Sequence, residues 1–274
     1  MSGPYEYSVG QIVPNPIGTL YADELLDIVP GAIALYDFGD PWGYLAQASP
    51  IPAGTAIRSY LDAGNTAIVS GAPGWSGNMM RLTSVAQSVA LPAEWKLPTS
   101  TTRFAVGGYM TIPRSGYAIN GTGTGFSSLF GWSQTNGSNT QYALRVNYDR
   151  ATGLSSLIYF YANGYAADIT AAIPTDGAVH HYAFEMSVLT STTFVVKVYV
   201  DGVLAFTSAA QTWTGSLVVP VGGTGPMLGA YYPNATDIKG AIGRIWLWDL
   251  TATGVKTIAD LNAADIAGSV GRFS

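Results

Sequence analysis

Cysteine is absent from all 274 residues, which excludes disulfides, thiol catalysis and thiolate metal sites. Charge is scarce as well: 12 Lys and Arg face 17 Asp and Glu, for a formal net charge of −5. Such a surface offers no field for phosphates, so nucleic acid is not expected as a partner. Basic residues do not begin until Arg58, and residues 1–57 carry six acids with no counter-charge. The opening MSGPYEYSVGQIVPNP lacks both a positive start and an apolar run, so it does not read as a secretory signal. No uninterrupted apolar stretch approaches the ~20 residues of a membrane helix, and membrane insertion is not expected. Work outside a cell would imply a signal-less route of exit, such as lysis.

What is present is apolar and turn-rich. Hydrophobic residues make up 48% of the chain, enough for a large core, and an all-β domain of this length can still be single. The clearest local signal runs from Asp176 to Thr207, DGAVHHYAFEMSVLTSTTFVVKVYVDGVLAFT. Phe194–Val200 and Val203–Thr207 are β-branched or aromatic runs joined by Asp201-Gly202, a pair that supplies the positive φ angles of a type I′ turn. Ala178–Val188, opened by Asp176-Gly177, adds a third strand, so this stretch reads as a meander. Asn163-Gly164 marks a second tight hairpin, with LIYFY before it and YAADIT after.

The rest alternates short β-rich runs with Gly, Pro, Asn and Ser turns. The candidate strands are Ala32–Phe38, Thr66–Val69, Met79–Thr83, Ser88–Leu91, Arg103–Ile112, Ser127–Ser133, Gln141–Tyr148 and Ser156–Ala162. Tyr165–Ala171, Leu217–Val221, Met227–Tyr231 and Ala241–Asp249 complete the set. This pattern indicates a sandwich or barrel, not βαβ units. Gly254–Ala267 reads as a helix with Val255, Ile258, Leu261 and Ile266 near one face, Thr253 as its cap and Gly268 at its end.

The motifs DG-x-x-HH-x-A (from Asp176) and VYVDG-x-L (from Val198) resemble the laminin-G-like, or pentraxin-like, branch of the concanavalin A-like lectin/glucanase superfamily. GAIALYDF at Gly31–Phe38 is similar to its opening strand, WSGNMMRL at Trp75–Leu82 to an early strand, and GAIGRIWLWDLT at Gly240–Thr251 to its closing strand. The resemblance spans Pro30 to the C-terminus. It implies an all-β fold, an antiparallel β-sandwich of the jelly-roll type with a short C-terminal helix, and it says little about function.

Residues 1–30 precede that sandwich (31–274) and differ from it. Pro4, Pro14, Pro16 and Pro30 punctuate the segment, and Val13 and Asn15 are pushed into extended backbone by the prolines that follow them. Two readings stand: a surface-draped or disordered leader, or an extended arm whose Tyr5, Tyr7, Ile12, Val13 and Tyr21 dock on a neighbouring subunit.

The candidate chemistry is thin. His180 and His181 are the only histidines; adjacent strand residues point to opposite faces, so the pair cannot chelate one ion, and one ring is expected in the core with the other facing outward. Glycosidases of the resembled superfamily carry closely spaced acids, E-x-D-x-x-E, on one strand. Glu6, Glu24, Glu94 and Glu185 are the only glutamates here, and none has an acidic partner at that spacing. Relatives of the resembled branch often bind calcium through loop acids, which makes Asp37, Asp40 and Asp249 weak candidates for a structural calcium. Gly243-Arg244 stands where such relatives show an acidic pair, which speaks against the common site. No other cofactor is expected.

Aromatic residues are plentiful, with seven Trp and 17 Tyr. Trp246 and Trp248 share a strand face and read as core. Trp42, Trp75, Trp132, Trp213, Tyr231 and Tyr232 fall in or beside turn-rich segments, and Tyr231, Tyr232 and Asn234 with Asp237 bring rings and hydroxyl-binding groups into one loop. Either these rings plug sandwich ends and subunit contacts, or they stack on sugars. The expectation is therefore a non-catalytic virion structural protein, a capsid-decoration or tail-associated subunit. It would be homo-oligomeric on the virion surface, its partners being capsid or tail proteins, cell-surface glycans or both. A free-standing carbohydrate-binding lectin is the alternative, and a glycoside hydrolase a distant one.

Overall fold

The computed structural model describes residues 30–61, 65–133, 139–220, 225–229, 236–251 and 253–273. In chain order its first strands are β1 (Ala32–Asp37), β2 (Ala56–Arg58), β3 (Thr66–Ser70), β4 (Gly74–Ser76), β5 (Met79–Leu82) and β6 (Ser88–Ala90). The long strands follow: β7 (Arg103–Thr111), β8 (Thr124–Ser133), β9 (Thr140–Asp149), β10 (Ser155–Ala162), β11 (Tyr165–Asp168), β12 (His180–Thr190) and β13 (Thr193–Val200). Then come β14 (Val203–Thr207), β15 (Gln211–Thr212), β16 (Met227–Gly229), β17 (Gly240–Ile242), β18 (Arg244–Asp249) and the helix α1 (Ile258–Ser269).

These strands form two antiparallel sheets. The first runs β14-β13-β12-β7-β17-β5-β4, with β18 on β7, β1 on β18, and β15 beside β14 on β13. The second runs β11-β10-β9-β8-β16-β6-β3-β2. Both hairpins expected from sequence are in place: Asp201 and Gly202 have φ of 49° and 78°, Asn163 and Gly164 of 49° and 80°. Alternating side chains of the two sheets meet in one core, among them Phe104, Phe130, Leu144, Phe160, Phe184 and Val196.

Several bounds differ from the expectation for local physical reasons. The strand expected to Ala171 stops at Asp168, whose Oδ1 accepts hydrogen bonds from Thr170 N (3.0 Å) and Thr170 Oγ1 (2.6 Å) and turns the chain into a 3₁₀ turn. The run that opens at Leu217 makes no strand over its described residues, 217–220; Leu217 N instead donates to Thr99 O at 2.9 Å. The closing strand breaks at Gly243, where a side chain would collide with the Phe273 ring. The short strands β2, β4 and β15, of two or three residues each, were not expected. The proposed arm, with Tyr5, Tyr7, Ile12, Val13 and Tyr21, lies outside the described residues.

A second, smaller core lies on the outer face of the first sheet. Leu35, Ala105, Ala183, Trp246 and Trp248 pack there against Ile258, Leu261 and Ala264 of α1. The helix is capped not by Thr253 but by Thr257, whose hydroxyl accepts from Asp260 N while Asp260 accepts from Thr257 N. Gly268 falls inside the helix. Its buried side is also more polar than the expected apolar stripe, because it includes Asn262, Asp265 and Ser269.

Asp265 explains that polarity. Its side chain is fully buried and lies 3.0 Å from Arg244 Nε, itself fully buried on β18. Its Oδ2 accepts from Trp246 Nε1 at 2.6 Å and lies 3.0 Å from His181 Nε2. Arg244 Nη1 donates to Ser269 Oγ at 3.2 Å. Burial alone would raise the Asp265 pKa, but the Arg244 charge and the bonds from His181 and Trp246 hold it below the usual carboxylate range. Next to it, Asp37 lies 2.7 Å from Arg272 and 3.9 Å from Arg244, yet burial still pushes its pKa up to about 6. The histidine pair does alternate. It is His181 on the outer face that is buried, because α1 covers that face.

Removing one partner of a buried ion pair leaves the other charge stranded. Asp265→Ala is expected to lower unfolding stability by about 3–5 kcal/mol, read from urea denaturation. Arg244→Met combined with Asp265→Leu should recover most of that loss. A single substitution costing under ~1 kcal/mol would show that the pair does not hold the helix down.

Candidate functional site

With α1 over the outer face of the first sheet, the second sheet presents the other broad face. In β10, Ile158, Phe160 and Ala162 point into the core, so alternation turns Leu157, Tyr159 and Tyr161 outward. On β9, Tyr142, Leu144, Val146 and Tyr148 point inward and Ala143, Arg145 and Asn147 outward. Register places Arg145 between Tyr159 of β10 and Ser128 of β8, and Asn147 between Leu157 and Phe126.

Arg145 is the centre of this face. Its guanidinium carbon lies 4.8 Å from the centroid of the Phe126 ring, 5.2 Å from that of Tyr161 and 5.8 Å from that of Tyr159, within cation–π range of all three. Its Nε donates to Asn147 Oδ1 at 3.0 Å. Tyr159 and Tyr161 are 6.0 Å apart and tilted by 59°. Phe126, Arg145, Tyr159 and Tyr161 are all half-buried, whereas the small Ser128 and Ala143 beside them are fully buried. Ring faces, a planar cation and an amide thus share one surface, a combination suited to a ligand with both apolar and hydroxyl-bearing sides. Paired catalytic acids are not assembled here among the described residues. Asp168 caps the Thr170 turn, and Asp149 Oδ1 accepts from Ala151 N at 2.8 Å.

The residues singled out from sequence are scattered differently. Trp132 is a strand residue of β8, paired with Tyr142 and 6% exposed, so its ring fills core with Lys96 Nζ 5.6 Å above it. Asp237 is 9% exposed and accepts from Ala118 N at 2.7 Å. Trp75 donates from Nε1 to Phe38 O at 2.9 Å and meets Tyr44 edge-on at 6.3 Å. Trp42 lies on the same 38–44 corner, half-buried, with Arg58 5.4 Å from its ring. Tyr231, Tyr232 and Asn234 lie outside the described residues. The residues flanking them reach β8 at the candidate face: Gly229 O accepts from Ser128 Oγ at 2.7 Å, and Thr236 Oγ1 from Phe126 N at 3.0 Å.

The calcium candidates have other partners. Arginine, not a vacant oxygen cage, faces Asp37, and Arg272 also stands 3.8 Å from Asp40. Asp249 sits at the other end of β18 and accepts from Thr101 Oγ1 (3.0 Å) and Thr251 N (2.8 Å). No group of three or more His, Asp or Glu residues suited to a metal occurs among the described residues. The face around Arg145 is not among the sites expected from sequence, which fall in or beside turn-rich segments. Its signal was there in LIYFY, where both strand faces are aromatic or apolar although one had to face solvent.

The fold has counterparts among solved structures. A Trypanosoma rangeli sialidase in complex with sialic acid is similar over 87% of this chain and 33% of its own, with a TM-score of 0.51 and 13% identity. The binding domain of botulinum neurotoxin serotype D is similar over 92% of this chain and 56% of its own, with a TM-score of 0.51 and 10% identity. The chain has an antiparallel β-sandwich fold. It spans about a third of the first protein and just over half of the second, and at such identities the likeness concerns fold alone. No family model matches the sequence, and neither does any curated protein.

One titratable cluster lies at the sandwich end. His180 Nδ1 is 2.7 Å from Asp201 Oδ2, and Nε2 is 3.1 Å from Asp176, while the Tyr182 ring meets the imidazole edge-on at 6.0 Å. Both ring nitrogens facing carboxylates favour the imidazolium. Burial pulls the His180 pKa down, but the bonds to Asp201 and Asp176 outweigh it and raise it. A histidine that binds its proton more tightly when folded stabilises fully below about pH 6.5 and loses that stabilisation as pH rises through the folded value. Stability to urea should therefore fall as pH rises above about 6.5. His180→Gln should flatten the slope; an unchanged slope would exclude this clamp as its source.

Proposed function

We propose that the protein is a non-catalytic recognition module that holds carbohydrate on the outer face of its second sheet. The observation that carries this reading is the outward row Phe126, Tyr159 and Tyr161 around Arg145, half-buried rings where a solvated strand face would ordinarily be polar. Sugars present apolar C–H faces to rings and hydroxyls to amides and guanidinium groups. The fold lends background support, since one counterpart holds sialic acid and the other is a toxin's binding domain.

The setting we favour is the surface of a virion, as a decoration or tail-associated subunit that grips surface glycans, with residues 1–30 anchoring it or joining copies. The low charge, the absence of cysteine and the proline- and tyrosine-punctuated leader support that setting by composition. A free-standing lectin would use the same face without the anchor. A hydrolase would need two carboxyl groups astride a bond, and Asp149 and Asp168 serve turns instead.

Two measurements test this. On a glycan array, Tyr159→Ala and Tyr161→Ala should each weaken binding about tenfold, or ~1.4 kcal/mol, with the melting temperature little changed; an array with no bound glycan would leave the face without its assigned role. Deleting residues 1–30 should keep the sandwich folded and abolish self-association or particle attachment, as read by light scattering and virion co-sedimentation. A protein equally associated before and after the deletion would favour the free-standing lectin.

A further inference from the structure

We infer that a cleft at the edge of the sandwich binds a free α-amino acid with an apolar side chain, a second site that goes beyond the glycan reading and uses none of its rings or its guanidinium. β14 ends the first sheet and β11 the second. Beside these edges lies an open cleft of about 440 Å³, within the ordinary size range of small-molecule sites. Its apolar wall is drawn from both layers: Leu157 of β10 and Ile173 on one side, Phe206 of β14 on the other. Its charged groups are Arg114 and Asp168.

Thr170 sets both charges in place. Arg114 Nη1 donates to Thr170 O at 2.7 Å, while Asp168 Oδ1 accepts from Thr170 N at 3.0 Å and from Thr170 Oγ1 at 2.6 Å. The amide nitrogen and carbonyl oxygen of one residue lie roughly 3 Å apart, so the guanidinium and the carboxylate are neighbours of opposite sign. No hydrogen bond or ion pair joins them, and their contacts engage one guanidinium N–H and one carboxylate oxygen. The other guanidinium N–H groups and Asp168 Oδ2 have no protein partner among the described residues. Arg114 is half-buried and Asp168 exposed, so a solute reaches both.

This arrangement dictates the ligand. A lone anion in the cleft would be repelled by Asp168, and a lone cation by Arg114. A zwitterion brings an ammonium to the carboxylate and a carboxylate to the guanidinium, each through charge-assisted hydrogen bonds. In a free amino acid the two groups share one carbon, a spacing suited to partners anchored on one residue; a peptide carries its terminal charges on different residues. The side chain then falls against Leu157, Ile173 and Phe206 and leaves water. Because Thr170 orders both protein groups beforehand, less ordering cost remains at binding.

The test titrates leucine and phenylalanine into the full chain beside their N-acetyl derivatives, their C-terminal amides and glycine. Ligand-observed nuclear magnetic resonance follows the titrations, because it reads weak binding. The two free amino acids should bind at least about tenfold tighter than either derivative and than glycine. Asp168→Asn, whose side-chain oxygen can still accept the Thr170 bonds, should erase the preference for the free amine. Arg114→Gln should erase the preference for the free carboxylate. A far-ultraviolet spectrum and thermal melt establish that each variant is folded. Equal affinity for parent and derivatives, glycine bound as tightly as leucine, or preferences that survive both substitutions overturn the inference. Absence of binding by every one of these probes overturns it as well, and none of these results touches the glycan face.

Discussion

The buried pair formed by Arg244 on β18 and Asp265 on α1 determines which side of the sandwich is closed. A charge taken out of water must meet a counter-charge at close range, so the helix cannot drift from the outer face of the first sheet without stranding both groups. Around that pair the packing is tight. Gly107 is a glycine because any side chain there would run into the Trp246 indole, and Gly243 because of Phe273. Arg272, reaching Asp37, ties the chain end to the opening strand in the same way. The first sheet is consequently occupied on both faces, and the burial of successive residues along β12 reflects it.

The second sheet carries the complementary consequence. Its inner face shares the common core, and its outer face is left to bear Phe126, Tyr159, Tyr161 and Arg145. Half-buried rings are an uncommon covering for the outer face of a sheet, and here they cluster around the Arg145 guanidinium. The division of labour follows: polar and charged contacts hold the helix over one side of the molecule, while half-buried rings gather around Arg145 on the other.

Much of the architecture was legible from residue order. Asp201-Gly202 and Asn163-Gly164 prescribe their turns because few other pairs tolerate positive φ at both positions, and they set the register of the strands beside them. The glycine-arginine step in the closing strand was visible as an anomaly, yet nothing local assigned Arg244 a partner on the terminal helix. The candidate site was less legible. Trp132 follows a strand parity that puts it inside, opposite Tyr142, although its neighbourhood in sequence suggests a turn. Arg145, Asn147, Tyr159 and Phe126 come from three strands and touch only once register is known.

Sequence by itself settled the class of fold, its antiparallel hairpins and the lack of thiol chemistry, because composition and turn residues act over a few positions. Which face the helix covers, which histidine is buried and where the half-buried rings gather were decided by tertiary structure. Those outcomes depend on pairings across strands and on where a distant helix comes to rest, and no short-range preference encodes either.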